Sequence, residues 1–99
     1  MLLIAGSFRI GIGVTEEVLA ACRKVMLATH AEEGCLDYVF SADPLDEKIL
    51  HIFERWESIE CLEEHSKAPH IGPFREAMAG WDVTETNIYR YTVSSSESM

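Results

Sequence analysis

Hydrophobic and polar residues alternate in four segments of the chain, as they do in β-strands that have one buried face. The four predicted strands cover residues 2–10, 35–43, 48–56 and 82–93. Leu2, Ile4, Phe8 and Ile10 share one side of the first strand, and that side is therefore expected to face the core.

Apolar positions spaced three or four residues apart predict helices between these strands. The first helix is expected to run from Thr15, a typical N-terminal cap, to about Glu32, with Gly34 as its C-terminal cap. A second helix is expected to begin after Ser58. Pro69 interrupts it and can open a further short helix.

The order of the predicted elements is β-α-β-β-α-β, the split βαβ arrangement of ferredoxin-like domains. This fold class is α+β, with a four-stranded antiparallel sheet and helices on one face. We expect a single domain over residues 1–93 and a disordered polar tail at residues 94–99. Because the second face of such a sheet is bare, we also expect a homodimer that packs sheet against sheet.

In the third strand, alternation places Glu54 and Trp56 on one face and His51 on the other. A carboxylate that points toward helices needs a partner, and Arg75, Lys67 or a histidine could supply one.

The chain carries 17 acidic and 8 basic residues, a net charge of -9, and has no basic cluster. Binding to a nucleic-acid backbone is therefore not expected.

No apolar run approaches the roughly 20 residues that cross a bilayer, and the N-terminus lacks the features of a signal peptide. Cys22, Cys35 and Cys61 show no CxxC spacing, and we interpret them as thiols of a cytoplasmic protein.

His65 and His70 flank the predicted helix break and could point both imidazoles into one cavity. The pair could suggest a metal site, with His51 and Glu54 as further ligands. However, His51 and Glu54 lie on opposite faces of one strand and cannot share an ion within a subunit, so no metal site is expected.

Three motifs follow one another along the chain. They are Glu33-Gly34-Cys35-Leu36-x-Tyr38, Phe53-Glu54-Arg55-Trp56-Glu57-Ser58, and His65-x-x-x-Pro69-His70 with Phe74 four residues on. Together they closely resemble the antibiotic biosynthesis monooxygenase domain family, over residues 2 to 92 or so. The resemblance implies a dimeric α+β barrel with a pocket between sheet and helices. For several members it also implies oxygenation of quinol-type aromatics without metal or flavin.

The function that the resemblance implies is oxidation of a small aromatic such as a hydroquinone, with O₂ as co-substrate and no cofactor. Such a site must bind an aromatic plane, stabilise its anion and exclude water. We predict His65 and Trp56 as catalytic residues, since a histidine with an unperturbed pKa of roughly 6.5 suits proton transfer. The predicted substrate-binding residues are Tyr38, Glu54, His70, Phe74, Arg9 and Asn87.

Other interpretations of the same residues stay open. Trp56 could be a core anchor, His65 could hydrogen-bond the carbonyls at a helix end, and His70 could be structural. The protein could be an isomerase of a small dicarbonyl or phosphorylated metabolite, which would turn over without oxygen, or a module that only binds an aromatic metabolite. Haem breakdown is not expected, because haem-degrading relatives use an asparagine on the first strand, where this chain has Ser7, Phe8 and Arg9.

Overall fold

A computed structural model describes residues 1–99 and contains four strands and three helices. Their bounds are β1 Leu2–Ile10, α1 Glu16–His30, β2 Cys35–Ala42, β3 Ile49–Trp56, α2 Ile59–Ser66, α3 Ile71–Ala79 and β4 Val83–Thr92. All strand pairs are antiparallel, and the strand order is β2-β3-β1-β4. The predicted ferredoxin-like fold class is therefore confirmed. None of the helices has both the length and the apolar character needed to cross a membrane.

Both predicted helix N-terminal caps are present. The Thr15 hydroxyl accepts a hydrogen bond of 3.2 Å from the Val18 amide, and the Ser58 hydroxyl accepts one of 3.2 Å from the Cys61 amide. Each bond satisfies an amide that has no partner within its helix. The third helix starts at Ile71, two residues later than the proline that was expected to open it.

The prediction that Gly34 caps the first helix is wrong. Helix α1 ends at His30, where the Ala31 amide bonds back to the Ala28 carbonyl at 3.3 Å. Gly34 lies in the turn that follows and has a φ of 79°. A Cβ at this position would stand 2.8 Å from the Cβ of Cys61, so glycine is required here by space as well as by backbone conformation.

The helices cover one face of the sheet and enclose a core rich in aromatic residues. Its buried members include Phe8, Val25, Leu50, Phe74 and Trp81. The opposite face carries exposed apolar side chains, which are Val39, Phe53, Tyr89 and Tyr91. A group of exposed apolar side chains on one sheet face is typical of a surface that meets a partner.

Two bulges interrupt the strict alternation that the sequence predicts. In β2, Cys35 pairs with Trp56 and Asp37 pairs with Arg55, so Leu36 is the extra residue. In β4 the register against β1 shifts near Glu85, whose φ is 46°. Because of these bulges, Cys35 and Val83 both pack against the core on the helix side, which strict alternation along their strands does not predict.

Candidate active site

Four of the predicted site residues form one buried cluster between the sheet and α2. Strand β3 carries Glu54 and Trp56 on its helix-facing side, β2 carries Tyr38, and α2 places His65 above them. The centroids of the Trp56 and His65 rings are 4.7 Å apart, with 40° between the ring planes. The Tyr38 ring lies 5.1 Å from that of His65. The imidazole therefore packs against two aromatic rings of the sheet.

The partner of Glu54 is Trp56, rather than Arg75, Lys67 or a histidine. The indole Nε1 of Trp56 donates a hydrogen bond of 2.9 Å to Glu54 Oε1. Residues two apart on a strand share a face, which makes this contact possible. Burial raises the pKa of Glu54, and the Trp56 hydrogen bond and the nearby His65 offset only part of that rise.

Glu32 is the functional candidate that the sequence interpretation missed. It lies in the turn after α1, and its Oε2 atom is 2.7 Å from His65 Nδ1 and 2.8 Å from His70 Nε2. One carboxylate therefore joins the two histidines that flank the helix break. The negative charge of a glutamate at a helix C-terminus interacts unfavourably with the helix dipole. This unfavourable position is the one signal in the sequence that Glu32 has another role.

This contact has a direct consequence for the protonation of His65. When Glu32 accepts the Nδ1 hydrogen, the neutral ring carries no hydrogen on Nε2, which is then free to accept a proton. The carboxylate also stabilises the imidazolium that forms. This is the arrangement of a histidine base with an acidic orienting residue.

A cavity of about 290 Å³ opens between α1 and α3, beside the cluster. His70 and Phe74, two predicted substrate-binding residues, line it together with Val25 and Lys24. The ring of His70 lies 6.2 Å from that of His65. His70 therefore lines the cavity and is linked to the buried imidazole through Glu32.

Arg9 and Asn87 do not join this cluster. Arg9 Nη1 lies 3.1 Å from Asp46 Oδ2, at the β2–β3 hairpin. Asn87 is exposed and pairs in register with Ser7, whose side chain points away from the helices, as does that of Arg9. These two predicted substrate-binding residues therefore lie across the sheet from His65.

Three side chains could hold a metal ion. The ligand atoms of Glu32, His65 and His70 all lie within 4.8 Å of one another. His51, which the sequence analysis considered as a ligand, instead contacts Asp43 at 2.7 Å on the open face of the sheet.

Comparisons with known proteins agree with this architecture. Residues 1–77 match the antibiotic biosynthesis monooxygenase family. The chain is 33% identical over 81 residues to the probable quinol monooxygenase YgiN of Escherichia coli K12, an alignment that covers 74% of this chain and 77% of that protein.

Solved structures show the same fold. A candidate antibiotic biosynthesis monooxygenase from Deinococcus radiodurans superposes with a TM-score of 0.86 at 21% identity, over 100% of this chain and 98% of that one. Rv0793 from Mycobacterium tuberculosis superposes with a TM-score of 0.81 at 24% identity, over 98% and 97% of the two chains. From the sequence match and the shared fold, we conclude that this chain belongs to the antibiotic biosynthesis monooxygenase family.

Proposed function

We propose that the protein is a monooxygenase that oxidises a small aromatic, such as a hydroquinone, with O₂ and without a metal or flavin. The observation that carries this proposal is the His65 imidazole, which packs against Trp56 and Tyr38 and is hydrogen-bonded to Glu32. The relationship to a protein named as a probable quinol monooxygenase supports the same class of substrate.

The size of the cavity favours a small substrate. At about 290 Å³, it lies at the lower end of the roughly 300–1,000 Å³ found for ligand pockets. Phe74 and Val25 offer apolar contacts for a ring, while His70 offers a polar one. One or two fused rings fit such a space better than a larger polycyclic system.

His65 is proposed to act as the general base. Its Nε2 atom accepts the proton of a substrate hydroxyl, and the Glu32 carboxylate stabilises the imidazolium. The resulting aromatic anion is far more easily oxidised than the neutral hydroquinone. His65 is only 7% exposed, so the base itself is shielded from bulk water.

The substrate itself supplies the electrons for the reaction. Its anion passes an electron to O₂, and the two radicals combine to form a C–O bond to a peroxide. The O–O bond then breaks as water leaves with the hydrogen of the same ring carbon. Hydroquinone and O₂ thereby give hydroxyquinone and water, with no external reductant.

Oxygen consumption tests this proposal. The purified protein is mixed with a reduced naphthoquinol in the presence of a metal chelator, beside His65→Ala, Trp56→Phe and the control His51→Gln on the other face of the sheet. We expect wild type and the control to accelerate uptake and His65→Ala to lose most of the rate. Equal rates in all samples and the blank would refute the proposal. Turnover without oxygen would favour an isomerase, and recovery of bound, unchanged ligand would favour a binding module.

We further propose that the active form is a homodimer that packs through the open sheet face. The support is the exposure of apolar residues on that face, which reaches 60% for Tyr89 and 51% for Tyr91.

The three cysteines are free, and this supports the proposal that the protein works in the reducing cytoplasm.

A further inference from the structure

We propose that Glu32, His65 and His70 form a binding site for a divalent first-row transition metal such as Zn²⁺, and that the bound ion switches off His65 as a base. The metal is an inhibitor of the site and not its cofactor. The ligand set consists of Glu32 Oε2, His65 Nδ1 and His70 Nε2. The oxygen is 2.7 Å from the first nitrogen and 2.8 Å from the second.

The chemistry of the three ligands matches this class of ion. Zinc and its neighbours bind imidazole nitrogen and carboxylate oxygen, and two histidines with one carboxylate occupy three of four tetrahedral positions. The hydroxyl of buried Thr29 lies 3.3 Å from His70 Nε2, so it can hydrogen-bond a fourth ligand such as water.

The Glu32 oxygen must move away from both nitrogens to admit the ion. Bonds of about 2.0–2.1 Å in a tetrahedral site place ligand atoms roughly 3.3 Å apart. The oxygen is 2.7 and 2.8 Å from the two nitrogens when they share hydrogens, so it must move away from each by about half an ångström, and all three ligand atoms already lie within 4.8 Å of one another. Rotation of the Glu32 and His70 side chains, which are 16% and 22% exposed, can supply this shift.

A route for a cation also exists. Glu32 lines a second cavity, of about 420 Å³, whose other walls include Glu33, Glu60 and Glu64. These carboxylates create a negative potential next to the ligand set, on a chain whose net charge is -9. The potential attracts metal ions and repels anions.

The switch follows from the tautomers of histidine. In the metal-free site, Nδ1 of His65 carries the hydrogen and Nε2 is the free base. A metal on Nδ1 displaces that hydrogen, and the neutral ring must then carry its hydrogen on Nε2. The metal-bound protein therefore has no base at His65. Metal binding itself does not depend on the function proposed above.

Metal titration without substrate tests the proposal. The protein is stripped with chelator and titrated with Co²⁺, which reports its ligands by visible absorption, and with Zn²⁺ in a calorimeter. We expect one ion per chain. The affinity should fall by more than about 100-fold in Glu32→Gln and His70→Gln, because even changes outside the ligand shell cost roughly 10–100-fold. The matched controls Glu76→Gln, an exposed glutamate on α3, and His51→Gln should bind as wild type does.

Several outcomes would overturn the proposal. Absence of binding to the wild type, equal affinity in the ligand variants, or thiolate charge-transfer bands that indicate Cys61 as a ligand would each refute it. If Glu32→Gln does not fold, the comparison of His70→Gln with wild type decides. If the protein consumes oxygen but binds no metal, the metal site is refuted and the proposed function stands. If it is inactive but binds one ion through these ligands, only the proposed function is refuted.

Discussion

The indole Nε1 of Trp56 donates a hydrogen bond of 2.9 Å to Glu54, and both side chains are buried. The carboxylate thus has a neutral hydrogen-bond partner and no salt bridge. Desolvation is the largest influence on Glu54 and raises its pKa above the ordinary value of 4.5. The folded protein therefore binds this proton more tightly than the unfolded chain does.

The first prediction concerns Glu54→Gln. With a raised pKa, the folded state holds more protons than the unfolded state, so its stability falls as pH rises from about 4.5 through the folded-state pKa. Glutamine keeps the acceptor oxygen and carries no charge. We expect the variant to be more stable than wild type above this window and similar below it.

Thermal unfolding across this pH range provides the measurement, since a change of 1 kcal/mol moves the Tm of such a domain by about 4–8 °C. The control is Glu76→Gln, which changes an exposed glutamate on α3. A variant that is less stable than wild type at neutral pH would show that the charged carboxylate is favourable in its site.

The second prediction concerns Glu32→Gln and rests on the proposed function. Glutamine cannot stabilise an imidazolium and can donate to Nδ1, which favours the wrong tautomer of His65. We expect kcat to fall by about 100-fold or more, with a smaller change in KM. Steady-state oxygen uptake with chelator present measures both constants. Glu33→Gln is the control, and an unchanged kcat in Glu32→Gln would exclude this positioning role.

The third prediction compares two glycines. At Gly34, with a φ of 79°, an added Cβ overlaps the Cys61 side chain, so Gly34→Ala should destabilise the fold by about 1–3 kcal/mol. At Gly72, in the first turn of α3, an added Cβ meets no heavy atom within 4 Å outside its two chain neighbours. Because the next residue is Pro73, which disfavours a helical conformation for a preceding residue that has a Cβ, Gly72→Ala should change the stability by less than about 1 kcal/mol. Urea unfolding measures both, and an equal or larger loss of stability in Gly72→Ala would contradict the prediction.

The fourth prediction tests the dimer. A charge on the open sheet face must be desolvated in a sheet-to-sheet interface, so Tyr89→Glu should yield monomers. Leu27→Glu is the matched control, because Leu27 is 73% exposed on α1, on the other side of the sheet. Light scattering after size exclusion gives the mass of each variant. Equal masses for wild type and Tyr89→Glu would rule out this face as the interface.

The sequence predicted strands and helix starts well because those features depend on local patterns. Alternation located β1, and side-chain caps located the starts of α1 and α2. The bulges at Leu36 and Glu85 were missed, since each depends on the register against a partner strand.

The candidate site could be predicted only in part. Glu54, Trp56 and His65 come from one stretch of sequence, and their meeting follows from a strand that leads into a helix. The contact between Glu32 and the two histidines joins residues more than 30 positions apart and depends on how α1 packs beside α2 and α3. No local pattern carries that information.

The turn that holds Glu32 has a consequence for protein engineering. The Glu32 amide bonds to the Thr29 carbonyl at 2.9 Å, the Cys35 amide to the Glu32 carbonyl at 3.3 Å, and the Glu57 amide to the Gly34 carbonyl at 2.9 Å. One residue inserted here would displace the carboxylate from both histidines. Leu45, at the hairpin tip, contributes nothing to the site and its side chain is 96% exposed, so it is the better place for a fluorescent label or an affinity tag.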